Sequence, residues 1–258
     1  MIDLSGKTAL VTGSSRGIGR AAAICLAEAG ANVAVNYVAS RSEAEHTAGE
    51  IRSYGVETAI VKADVGELQD VQAMIDFVGK TFGRLDIMVS NAATGGFRSL
   101  TATTAQHFES AMRTNVQALM FLVQTALPLL EKGTGPDTGR SKVISLSSAG
   151  SERALPQYGV IGSTKAALES LTRHFALELG NRGINFNVVR AGLVETDSFQ
   201  MMPNRDRIRE AARARSLVNC QLLTPDAVAD AVLFLASPLS DHIQGQTITV
   251  DSGHEILG

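Results

Sequence analysis

The chain has 258 residues, 45% hydrophobic and 19% charged, with a formal net charge of −3. That length and apolar share fit one domain with a large core. The slight acidity argues against nucleic acid or an anionic membrane as partner, and the lack of Trp removes an evident base-stacking platform.

Short β-branched runs alternate with longer helical patterns. Strands are expected at 8–12, 32–37, 57–63, 85–90, 142–147, 184–189 and 246–250, and helices near 18–29, 41–54, 68–82, 104–131, 157–181 and 225–236. Apolar strands separated by helices imply right-handed crossovers. The expected fold class is therefore α/β: a single Rossmann-type, doubly wound parallel sheet of about seven strands with helices on both faces. The N-terminus runs straight into the first strand without a visible signal peptide. The apolar region 118–130 is broken by Gln124, Thr125 and Pro128, and is too short to span a bilayer. Cys25 and Cys220 form no disulfide framework and no metal spacing, which suits a reducing, cytoplasmic setting. Residues 133–139 form a turn-rich connector expected to be mobile, and 193–217 form a mostly helical flap within the same 1–258 domain.

Directly after the first strand comes Thr12-Gly13-Ser14-Ser15-Arg16-Gly17-Ile18-Gly19, and a helix follows. Glycines here allow a tight turn and let a phosphate reach backbone N–H groups at a helix N-terminus. Three residues separate the first two glycines and one separates the last two, unlike the commonest dinucleotide spacing. A purely structural strand–helix turn is the other reading, but the place in a βαβ unit favours binding. An NAD site usually carries an acid at the end of the second strand. Here that end reads Asn36-Tyr37-Val38-Ala39-Ser40-Arg41, with no acid. Arg16 or Arg41, with Ser40 as a hydroxyl donor, can pair with a 2′-phosphate, so NADP is favoured.

One further stretch carries chemistry: Ser147-Ser148, then Tyr158, then Lys165. Seven residues at about 3.6 per turn bring Tyr158 and Lys165 to one helical face. A cation near a phenol favours the phenolate and makes the hydroxyl a readier proton donor.

With these motifs in order, the chain resembles the short-chain dehydrogenase/reductases from end to end. The matching features are the Gly13–Gly19 loop, Asp64-Val65, Ser90-Asn91-Ala92-Ala93, Asn115, Ser148, Lys165, Gly192 to Thr196, and Gly245-Gln246. The resemblance implies that Asp64-Val65 borders the adenine and that Asn91 supports the central sheet. It implies that Lys165 holds the nicotinamide ribose and that Thr196 touches the carboxamide. Asp64 as a turn residue, Asn91 as a buried amide and Thr196 as a helix cap remain open. The candidate cofactor contacts are Gly13, Ser15, Arg16, Gly17, Ile18, Gly19, Tyr37, Ser40, Arg41, Asp64, Val65, Asn91, Ala92, Lys165, Gly192, Val194 and Thr196. The candidate catalytic residues are Tyr158, Lys165 and Ser148, with Asn115 resembling the family's proton-relay asparagine. No metal is implied.

The sequence departs from the family at one telling place. Most members carry Tyr-x-x-x-Lys, but Ile161 stands four residues before Lys165. Tyr-x6-Lys resembles the enoyl-acyl-carrier-protein reductases, and the surrounding wording resembles their NADPH-dependent type III members. In ketone reduction the acid must reach the oxygen on the carbon that takes hydride. In enoyl thioester reduction, charge develops two carbons further along. A shift of three residues moves the phenol by about 4.5 Å along a helix, which suits an enolate remote from the hydride acceptor. The expected activity is NADPH-dependent reduction of a trans-2-enoyl thioester carried by acyl carrier protein or CoA. A carbonyl or 3-ketoacyl reductase is the alternative, and a catalytically silent NADP-binding subunit the second. Ala191-Gly192 replaces the usual Pro-Gly, so a more mobile lid is expected. Arg205, Arg209 and Arg213, at i, i+4 spacing on the flap, offer a basic face for an acidic carrier protein or CoA phosphates, or simply a solvated face. The resemblance implies a homotetramer packed through helices 104–131 and 157–181.

Overall fold

The computed structural model describes residues 2–136 and 138–257. Seven strands are β1 (Thr8–Val11), β2 (Asn32–Tyr37), β3 (Thr58–Lys62), β4 (Ile87–Ser90), β5 (Ser141–Ser148), β6 (Ile184–Ala191) and β7 (Thr247–Val250). They form one parallel sheet in the order β3-β2-β1-β4-β5-β6-β7. Helices cross between them: α1 (Gly17–Glu28), α2 (Arg41–Arg52), α3 (Leu68–Phe82), α4 (Ala105–Met112), α5 (Ala118–Lys132), α6 (Gly159–Leu179), α7 (Asp197–Gln200), α8 (Arg205–Arg215) and α9 (Pro225–Ala236).

Both faces of the sheet are covered, which is why the central strands read as unbroken apolar runs rather than alternating ones. Every residue of β1 and β4 is buried. On one face Leu26, Ile51 and Val232 from α1, α2 and α9 pack on Val33, Val35 and Val89. On the other, Val71, Leu122 and Leu168 from α3, α5 and α6 pack on Leu10, Met88 and Phe186. The strand order reverses between β1 and β4, and a crevice opens there beyond the carboxyl ends of the strands.

The structure corrects the sequence at two helices. The expected helix 104–131 is α4 and α5 separated by a π turn over Arg113–Gln117. Such turns occur mostly as single insertions at functional sites, and this one carries buried Asn115. The expected helix 157–181 begins at Gly159 instead. Gln157 has φ 59° and Tyr158 has φ −107°, ψ 2°, so neither is helical. Tyr158 and Lys165 therefore do not share one helical face; Tyr158 stands at the helix mouth. In the connector before β5, the Gly135 and Gly139 N–H groups each donate to the other's carbonyl, at 3.0 and 2.8 Å. Asp137 in that connector and the terminal Met1 and Gly258 lie outside the described residues. No helix among the described residues is long and apolar enough to cross a membrane.

At the amino ends of the strands, buried Asp86 accepts from Thr8 N–H at 3.0 Å and from Arg84 Nε and Nη2 at 2.8 and 2.5 Å. Asp86→Ala leaves that amide without its partner, and urea unfolding is expected to show a loss of about 2 kcal/mol.

Candidate active site

The cofactor side of the crevice begins where β1 runs out. Gly13 N–H donates to Asn36 Oδ1 at 3.0 Å, and Ser14 N–H donates to the Asn36 carbonyl at 2.9 Å. Asn36 Nδ2 donates onward to the Ala63 carbonyl at 3.0 Å. This fully buried amide, at the position range where an acid would hold ribose hydroxyls, instead ties the glycine loop to β2 and β3. The available signal was an amide, Asn36, set between Val35 and Tyr37 at the buried end of β2.

Gly13 and Gly17 have φ of +63° and +58°, conformations that side chains rarely adopt. A Cβ at Gly13 would come within 3.1 Å of Ala92 Cα. No side chain caps α1, whose first N–H groups face outward from the turn. These features fit a dinucleotide: a backbone cradle that a Cβ would fill, above an uncapped positive helix end. Arg16 is exposed at the N-cap of α1. Arg41 opens α2 and pairs with Glu45 at 2.8 Å, so Arg16 is the freer of the two cations for a 2′-phosphate. Ser40 is the N-cap of α2 and makes no capping bond; Tyr37 ends β2, buried.

The remaining cofactor-side residues occupy structural roles in the same crevice. Asn91 Nδ2 donates to the Thr12 and Gly13 carbonyls at 2.8 and 3.2 Å, joining β1 to β4 as expected. Thr12 Oγ1 accepts from Asn91 and Ala92 N–H. Asp64 accepts from Gly66 N–H in a turn, beside buried Val65. Gly192 N–H donates to Val250 O at 2.8 Å, and Val194 is buried below it. Thr196 caps α7 through Phe199 N–H, yet its methyl lies 3.8 Å from where a Gly17 Cβ would be. The root of the flap thus stands over the glycine loop.

The other half lies at the ends of β5 and β6. The Tyr158 hydroxyl donates to Ser148 Oγ at 3.1 Å. Its ring covers Gly150, where a Cβ would strike it at 2.5 Å, and lies 6.0 Å from Phe97. Lys165 Nζ, buried, donates to the Leu146 carbonyl at 2.7 Å. Ile161 is turned to the loop after β4, its Cγ1 2.5 Å from the position of a Gly95 Cβ. The place usual for a catalytic phenol is therefore aliphatic and closed by a glycine. A cleft of about 170 Å³ opens beside it, lined by Thr94, Gly96, Arg98, His107, Ser110 and Val160. A larger groove, beside Arg140, Arg173 and Gly245, lies at the amino ends of β5, β6 and β7, away from the crevice.

Charges here differ from the sequence expectation. Burial pushes the Tyr158 phenol above its ordinary value. Ser148, whose hydroxyl can turn its proton toward a developing phenolate, offsets this in part. Tyr158 is thus a protonated donor at neutral pH. Burial lowers Lys165 to about 8, and the Glu169 carboxylate one turn on acts in the opposite sense. Asn115 stands in the π turn after α4. Its amide is engaged by the backbone of Thr94, at 2.7 and 2.8 Å, and by Thr164 Oγ1 at 2.9 Å.

A family model described as enoyl-(acyl carrier protein) reductase matches residues 13–255. The chain belongs to the short-chain dehydrogenase/reductase family. It is 35% identical over 257 residues to 1-cyclohexenylcarbonyl-CoA reductase of Streptomyces collinus, covering 97% of this chain and 88% of that one. It is 36% identical over 251 residues to a 3-oxoacyl-(acyl-carrier-protein) reductase of Staphylococcus aureus, covering 96% and 97%. A short-chain dehydrogenase of Burkholderia cenocepacia in complex with NADP superposes with a TM-score of 0.88 at 33% identity, covering 98% and 99%. The seven-stranded sheet is the Rossmann-type fold of this family.

The flap also departs from expectation. Arg209 is not presented to a carrier: it donates to Glu195 at 3.2 and 2.6 Å and to Asp206 at 2.7 Å, and stacks over Phe199 at 5.0 Å. Arg205 donates to the Gln200 carbonyl. This ion pair joins parts of the 193–217 flap to one another.

Difference titration of phenol absorbance between the native protein and Tyr158→Phe is expected to place the Tyr158 transition above pH 10. A phenolate forming below that value would restore the cation-assisted reading.

Proposed function

We propose that the protein is an NADPH-dependent enoyl thioester reductase. The observation that carries this reading is the phenol of Tyr158 at the mouth of α6, bonded to Ser148, while aliphatic Ile161 holds the usual phenol position. NADP in the Burkholderia structure and the exposed Arg16 support NADPH as cofactor. Thr12, Asn36 and Asn91 set the glycine cradle; the N–H groups from Ser15 to Gly19 take the pyrophosphate, and Lys165 orients the nicotinamide ribose. When bound, NADPH supplies hydride to Cβ of the trans-2-enoyl chain. Tyr158 hydrogen-bonds the thioester oxygen, where negative charge collects as Cβ gains the hydride. Ser148 shares the phenol's proton, and the Lys165 ammonium adds positive charge.

A CoA thioester is named for the Streptomyces relative and a carrier-protein thioester for the Staphylococcus one; both carriers suit this chain. Exposed Phe108 on α4 and Leu177 on α6 support a homotetramer, and both cysteines are free, in keeping with a reducing cytoplasm. A 3-ketoacyl thioester reductase is the second reading. It is favoured by the direct Tyr158–Ser148 contact, which brings two hydroxyls to one point as a ketone oxygen requires.

Crotonyl and acetoacetyl thioesters, assayed side by side with NADPH, separate the two readings. Crotonyl turnover is expected, and Tyr158→Phe is expected to lower kcat about 100-fold or more with NADPH affinity retained. Turnover of acetoacetyl thioester alone selects the second reading. The folded Lys165 value lies below the ordinary lysine value, so its ammonium is lost as pH rises through about 8. The kcat profile is therefore expected to fall on that alkaline side; a profile flat to about pH 10 would remove the charge from the reaction.

A further inference from the structure

Behind the serines and Lys165 lies a buried ionic cluster that the reaction as described does not use. Glu169, 5% exposed, sits one helical turn beyond Lys165. It accepts from Ser147 Oγ at 2.5 Å, Ser151 Oγ at 2.6 Å, and Arg190 Nε and Nη2 at 3.0 and 2.6 Å. Ser147 and Arg190 are direct partners in the β5–β6 ladder, adjacent to the pair Ser148–Ala191 at the end of the sheet. Ser151 closes the short turn after β5, whose Gly150 lies under the Tyr158 ring. Four hydrogen bonds from three elements thus converge on one carboxylate, and each donor lies next to a piece of the acid site.

We propose that Glu169, clamped by Arg190, is a positioning residue of the acid site: it fixes the turn that carries Ser148 and supports Tyr158, and it places a fixed negative charge behind Lys165. This rests on the enoyl reductase reading for its consequence in catalysis, but not for the contacts themselves. Burial alone would raise the Glu169 carboxyl, but Arg190 and the two serines hold it below its ordinary value, so it is charged at neutral pH. Its charge also acts on Lys165, in the sense that favours the ammonium. The groups facing Glu169 are Lys165 on its own helix, Ser147 on β5, Ser151 in the turn and Arg190 on β6. Arg190 also meets Glu152 at 2.8 Å and Glu255 at 3.8 Å, and Asp251 and Arg153 act on Glu255. A fixed carboxylate favours the Lys165 ammonium that burial disfavours.

Glu169→Gln removes the charge while keeping an oxygen that Ser147 and Ser151 can reach, and Glu152 remains to pair Arg190. The test follows the Lys165 side chain by NMR in ¹³Cε-lysine-labelled full-length protein without substrate, assigned with Lys165→Met, alongside the pH profile of crotonyl thioester reduction. In Glu169→Gln the Lys165 transition is expected to move down by about half a pH unit or more. The alkaline fall in kcat should move with it while KM for the thioester stays unchanged. Glu169→Asp, which keeps the charge, should retain the native transition. If the single variant does not fold, Glu169→Gln/Arg190→Met, which leaves no buried guanidinium without its carboxylate, is expected to move the Lys165 transition in the same direction by a smaller amount, because the Arg190 cation leaves with the carboxylate. An unmoved Lys165 transition in the charge-free variant overturns the proposal. A shifted transition in a protein that reduces no enoyl thioester overturns the functional reading and leaves this one standing.

Discussion

A parallel strand that outruns its neighbour leaves backbone carbonyls without ladder partners, and in this protein side chains close them. Asn91 takes the carbonyls of Thr12 and Gly13 beyond β1, Asn36 takes that of Ala63 beyond β3, and Lys165 takes that of Leu146, one residue past the last β4 partner of β5. An orphaned buried carbonyl costs about 1–3 kcal/mol, so each of these polar side chains is held in place by the fold itself. The crevice is lined with amides and an ammonium for that reason, and a cofactor meets groups that are already oriented.

The same economy explains the helix mouth. Because Gln157 takes a left-handed conformation, Tyr158 is turned out of α6 and laid over Gly150, where Ser148 meets its hydroxyl. A helical Tyr158 would follow the azimuth of Lys165; the observed one answers to the β5 turn. Two elements therefore set the acid geometry, and Glu169 grips both the turn, through Ser151, and the strand, through Ser147. The π turn that carries Asn115 serves a related end, fastening Thr94 and α6 together across the cleft.

Much of the fold was legible in the order of residues. Strand positions followed from apolar β-branched runs, and layer arrangement from their alternation with helices, since both patterns are local. The glycine loop and the displacement of the phenol from position 161 to 158 were equally plain, because a motif of fixed spacing survives translation into any structure. The helix boundaries at 104–131 and 157–181 were not plain. An inserted π residue and a positive φ at a non-glycine leave little trace in periodicity.

By itself the sequence determined the doubly wound sheet, the dinucleotide loop lacking an acid partner, and the substitution of Ile161 where a phenol is usual. Only the tertiary structure decided which charges meet. Arg209 faces Glu195 rather than solvent, Tyr158 finds Ser148 rather than the helical face that carries Lys165, and Arg190 reaches Glu169 from a neighbouring strand. Those partners stand 14, 10 and 21 residues apart in the chain. Side-chain type fixes what a group can bind, but packing alone fixes which partner it meets and how much water is left between them.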